Sequence, residues 1–152
     1  FDRVQDDLED LEIFVVDLEN EKVSGTILYD EEDEVFRILI NQCKPKTRQY
    51  FSMAHELGHY FLHRSVILKE EVIVDGDASL DGQAMLFRMD DSASTQMEIE
   101  ANNFAATLLM PEHLVKKAWE ALEDVEECAR IFHVSISAMS IRLETLNLVS
   151  MD

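Results

Sequence analysis

No apolar run in this sequence approaches the roughly 20 residues that a bilayer-spanning helix needs. The start, Phe1-Asp2-Arg3-Val4, shows no basic region followed by an apolar one, so no secretory leader is visible and a cytoplasmic location is expected. The chain opens on Phe rather than Met, which leaves open what precedes it. Cysteine is scarce. Cys43 and Cys128 lie far apart without a metal-type spacing, which suits two free thiols in a reducing compartment. Basic residues are few as well, 13 against 32 acidic ones, and the formal net charge is −19. A surface this negative repels nucleic acid and anionic lipid, so neither is expected as a partner. Internal repeats, low-complexity tracts and long linkers are also missing.

What is present is a globular composition. The chain has 152 residues, 47% of them hydrophobic, enough for one domain with a real core or one domain plus a small appendage. Three short β-branched and apolar runs, 12–17, 23–29 and 35–40, are separated by polar turns and read as an antiparallel meander. After the break at Lys44-Pro45-Lys46, residues 48–63 read as a helix with Thr47 as its N-cap. Phe51, Ala54, Gly58 and Phe61 fall on its core-facing side. Residues 64–95 are less regular, with candidate strands at 72–74 and 84–88 and a loop at 90–95. Further helices are expected at 97–109, from Pro111 to about 122, at 125–132 and at 136–146. The fold class expected is α+β: a small antiparallel sheet on two helices, with a helical C-terminal tail. The division expected is a catalytic unit over 1–123 and a helical extension over 124–152, packed on the same domain.

The chemistry concentrates in His55-Glu56-Leu57-Gly58-His59. Residues four apart on a helix lie on one face, so His55 and His59 can offer two imidazole nitrogens to one metal ion. Glu56 is about 100° around the helix from His55 and can reach the water that the metal activates without being a ligand. Gly58 costs about 1 kcal/mol in a helix interior relative to Ala, which points to close packing or to room needed near the metal. A catalytic zinc needs a third protein ligand and an open position. Glu98 and Glu100 are the candidates. Glu98 shares a helix face with Asn102, whereas Glu100 lies about 200° away on the wheel, which favours Glu98 as ligand with Asn102 supporting a histidine. Both acids also suit a helix N-terminus on dipole grounds alone. His63 is two turns from His55 and reads as a rim or structural histidine. Tyr50, Tyr60 and His63 are near enough in sequence to supply an oxyanion or substrate contact. The strand at 84–88 is a candidate for pairing with an extended substrate peptide, or is an ordinary edge strand.

Two blocks together carry more information than the five-residue motif. Phe51-Ser52-Met53-Ala54-His55-Glu56-Leu57-Gly58-His59-Tyr60-Phe61-Leu62-His63, followed by Glu98-Ile99-Glu100-Ala101-Asn102-Asn103-Phe104-Ala105-Ala106-Thr107-Leu108-Leu109-Met110-Pro111, resembles the ImmA/IrrE family of bacterial and phage metallopeptidases. The resemblance extends more loosely over most of the chain. It implies a gluzincin-like site with one zinc ion per chain, held by His55, His59 and Glu98, and Glu56 as the catalytic glutamate. It also implies a protein substrate, of the class of helix-turn-helix transcriptional repressors cleaved or inactivated in mobile-element induction or stress responses.

Two other readings compete. In one, the chain holds a metal but sequesters a repressor without cutting it. In the other, the segment 129–143 acts as a DNA-reading helix-turn-helix. Its second helix carries only Arg142 as a basic residue, with Glu144 beside it, and a pair of helices completing the core is the simpler reading. His133 reads as a helix-end residue and Trp119 as part of the core.

Overall fold

A computed structural model describes residues 6–70, 72–76 and 91–150. The candidate strand at 84–88 lies outside the described residues. Four strands form one sheet among the described residues: β1 (Leu11–Val16), β2 (Val23–Asp30), β3 (Val35–Asn41) and β4 (Val72–Gly76), in the order β1-β3-β2-β4. The β2–β3 hairpin is antiparallel, as is β2 with β4. β1 departs from the expected meander. It pairs in parallel with β3, Leu11 opposite Phe36 through Val16 opposite Asn41, and has no pairing with β2. The sheet is therefore mixed. Arg37 on β3 fastens this edge by donating to Glu12 on β1 at 2.8 Å.

Among the described residues run the helices α1 (Lys46–Leu62), α2 (Arg64–Glu70), α3 (Asp91–Leu109), α4 (Glu112–Leu122), α5 (Val125–Phe132) and α6 (Ile136–Thr145). α1 begins before Thr47. Pro45 is its N-cap residue, and no side chain caps it. Proline fits there because it has no N–H to leave unpaired. α3 starts six residues ahead of the expected Met97, through polar residues that carry no apolar period.

Two apolar clusters organise the described residues. In the first, Phe36, Ile38 and Ile40 alternate along β3, and with Ile27 on β2 they pack on Met53, Leu57 and Tyr60 of α1. The alternation follows from the two-residue period of a strand. The second joins Met110 and Val115 to Cys128, Ala129, Met139 and Leu143, with Trp119 half-buried against it. α5 and α6 meet through a tight turn. His133 adopts a left-handed conformation (φ 54°), and Ser135 caps α6 by accepting from the Ala138 N–H. Arg142 donates to the Met110 carbonyl at 3.0 Å, so the basic residue of the second helix ties the tail to the end of α3.

Candidate metal centre

Residues 52–60 of α1 are all buried. A surface helix normally buries one stripe. α1 is covered on one side by β2 and β3 and on another by α3, so its polar residues lie in the interior. His55 is 2% exposed, and Glu56 and His59 are fully buried. Buried polar groups need partners, and those partners define the site.

Gly58 lets α3 approach. A Cβ built on it would lie 3.1 Å from the Ala101 Cα and 3.2 Å from the Ala101 carbonyl oxygen. Close packing therefore accounts for the glycine. That approach brings Glu98 over the two histidines. Glu98 Oε2 is 3.0 Å from His55 Nε2, Glu98 Oε1 is 3.1 Å from His59 Nε2, and the two Nε2 atoms are 3.1 Å apart. Glu100 points elsewhere, to His63 Nε2 at 2.8 Å.

This donor set fits a metal ion. Two nitrogens bound tetrahedrally at roughly 2.0–2.1 Å are separated by about 3.3 Å. The spacings here, 3.0 and 3.1 Å, are within a few tenths of an ångström of that. The hydrogen bonding agrees. Asn102 Oδ1 accepts from His55 Nδ1 at 2.8 Å, so in the neutral ring Nε2 presents a lone pair. That lone pair faces a carboxylate, and the two repel unless a cation lies between them. Burial pushes the His59 imidazole below its ordinary 6.5, against the raising pull of Glu98. Burial works to raise the Glu98 carboxyl, but the two imidazoles beside it outweigh that and bring it down to about 2. Neutral imidazole and ionised carboxylate are the ligand forms. Among the described residues, His55, His59 and Glu98 form a group able to hold a metal, with ligand atoms all within 4.8 Å of one another.

Glu56 lies against β2. A Cβ added to Gly25 would be 3.6 Å from Glu56 Oε1 and 3.0 Å from the Ile40 Cδ1. Gly25 was not singled out in the sequence. The signal was available, since an isolated glycine within a strand pattern marks a bulge or a close approach, and the β2–β4 register shifts between Val23 and Gly25.

The remaining candidates separate. Tyr60 turns its hydroxyl to Asp10 and packs its ring on Phe36, with the Arg64 guanidinium 4.6 Å from the ring centre. Tyr50 stands on the surface with its ring edge toward His133. His63 is buried, with Nδ1 at 2.9 Å from His59 Nδ1 and Nε2 on Glu100. Of the three residues considered for an oxyanion, Tyr60 and His63 thus have their polar atoms engaged by Asp10, and by His59 and Glu100, respectively. Beside Asn102 a cleft of about 350 Å³ opens between α1 and α6, lined also by Arg48, Phe51, Met110 and Ile141.

A family model described as "IrrE N-terminal-like domain", a peptidase family, matches residues 8–144. A Mycobacterium tuberculosis transcriptional regulator of known structure is similar in fold. Its TM-score is 0.64 at 18% sequence identity, over 93% of this chain and 38% of that one. The chain thus spans well under half the length of that protein. No curated protein matches the chain by sequence. No helix among the described residues is long and apolar enough to cross a membrane.

Proposed function

This chain belongs to the IrrE N-terminal-like family of peptidases, and from that premise we propose that it is a zinc-dependent endopeptidase acting on a regulatory protein of the helix-turn-helix repressor class. The observation that carries the reading is the convergence of His55 Nε2, His59 Nε2 and the Glu98 carboxylate within hydrogen-bond distance, one residue from a buried Glu56.

In this reading His55, His59 and Glu98 hold the ion. Zinc, when bound, polarises the scissile carbonyl and lowers the pKa of water at its open position. Asn102 holds the His55 ring, and the apposed helices α1 and α3 hold Glu98 over both histidines. Glu56 accepts the proton of the attacking water on its carboxylate and delivers it to the leaving amine nitrogen. Gly25 of β2 lies beside that carboxylate. The cleft beside Asn102 offers a path for an extended segment of substrate. The substrate class rests on the family. The fold shared with a transcriptional regulator is compatible with a regulatory setting.

The test is Glu56→Gln against a panel of purified helix-turn-helix repressors, followed by gel electrophoresis and mass spectrometry. The wild type is expected to cut a panel member, and the variant to bind zinc equally while turnover falls by about 10²- to 10⁴-fold. A repressor bound tightly by both forms and cut by neither would establish sequestration in place of proteolysis.

A further inference from the structure

His63 has no part in the reading above, yet it is 6% exposed and uses both ring nitrogens. We propose that His63 and Glu100 are positioning residues that fix the tautomer and the orientation of His59 for the metal. The inference rests on the zinc reading of the site.

The hydrogen-bond polarity can be followed from one end. Glu100 is a carboxylate and only accepts, so the His63 Nε2 at 2.8 Å carries the hydrogen. The neutral His63 ring then has its lone pair on Nδ1. That atom lies 2.9 Å from His59 Nδ1, which in this tautomer is the donor. With its hydrogen on Nδ1, neutral His59 presents the Nε2 lone pair toward His55 and Glu98. The acceptor at the end of the chain is itself oriented, because Gln96 Nε2 donates to Glu100 Oε1 at 3.0 Å. Asn102 does the corresponding work for His55, accepting from its Nδ1 at 2.8 Å. Each histidine of the motif thus has its own outer partner, and α3 supplies both anchors.

The spacing explains how one pair of helices does this. His55, His59 and His63 follow each other at intervals of four along α1 and its C-terminal cap. Glu98 and Glu100 lie on different sides of α3, so one reaches the ligand pair and the other reaches the outer histidine. Outer partners of this kind raise ligand basicity and hold the ring in register, and losing one typically costs about 10- to 100-fold in metal affinity.

The test is zinc affinity of the full chain, measured by chelator competition, for wild type, His63→Leu, Glu100→Ala and Glu100→Gln. Melting curves of the zinc-free forms separate folding from binding. His63→Leu and Glu100→Ala are expected to weaken zinc by about 10- to 100-fold, whereas Glu100→Gln keeps an acceptor and stays close to wild type. Glu100 is at the exposed rim, so Glu100→Ala serves even if His63→Leu does not fold. Nitrogen-15 histidine spectra of the zinc-loaded wild type should show His63 protonated at Nε2 and His59 at Nδ1. Wild-type affinity in both His63→Leu and Glu100→Ala would overturn the proposal, as would a His63 ring protonated at Nδ1. A wild type that binds no zinc would overturn the metal reading itself and this inference with it.

Discussion

One methyl group at Gly58 sets two opposing effects against each other. Helix propensity favours Ala over Gly by about 1 kcal/mol in a helix interior. Packing opposes it. The new Cβ would stand 3.1 Å from Ala101 Cα, 3.2 Å from its carbonyl oxygen and 3.2 Å from Phe104 Cβ. Carbon atoms in contact prefer about 3.5–4.0 Å, so a few tenths of an ångström must be found. None of the three atoms lies at the far end of a flexible side chain, and the helices themselves have to part. Overpacking of this kind costs about 1–3 kcal/mol. Gly58→Ala is therefore expected to lower stability by up to about 2 kcal/mol net of the propensity gain. Glu98 rides on the displaced helix, so zinc affinity is expected to fall as well. Urea denaturation of the zinc-free protein gives the first quantity and chelator competition the second. A variant about 1 kcal/mol more stable than wild type, as propensity alone dictates, with unchanged zinc affinity, would refute the close contact of α1 with α3.

Two further perturbations address the scaffold. Ile38 is fully buried at the centre of the sheet, opposite Ile13 on one side and Ile27 on the other. Ile38→Ala should cost about 2–5 kcal/mol in urea denaturation. Asp10 accepts from the Tyr60 hydroxyl and from Arg64, and these bonds, Tyr60 foremost, hold its carboxyl below the ordinary 3.8 against a raising effect of burial. A carboxyl depressed in the folded state contributes stability that is present above 3.8 and lost as pH falls through its folded value. Asp10→Asn should therefore flatten the acid limb of stability against pH, and the same limb in both proteins would contradict the Tyr60–Asp10–Arg64 link.

The ligand set was legible because helix geometry alone determines much of it. His55 and His59 at four-residue spacing share a face, and the same arithmetic separates Glu98 from Glu100 on α3. The boundaries of α5 at Val125 and Phe132 agree with its capping signals, Asp124 accepting at one end and a left-handed His133 at the other. What was not legible depends on partners distant in sequence. The run at β1 identifies a strand but carries nothing that says which neighbour it joins, and its parallel pairing with β3 is decided by the assembled sheet. The first turns of α3 lack an apolar period and read as loop. His63 reads as a rim or structural histidine, and its partner Glu100 was not legible because it lies 37 residues further on and on another helix.

The most direct test of the account is the metal content of the purified protein, with wild type measured beside His59→Ala and Glu98→Ala. About one zinc per chain in the wild type, lost or much weakened in both variants, is the result expected of a site with two histidines and a glutamate. Stoichiometric zinc that survives Glu98→Ala would move the third ligand off Glu98. A wild type that takes up no metal under any reconstitution would contradict the metal centre and the peptidase mechanism built on it.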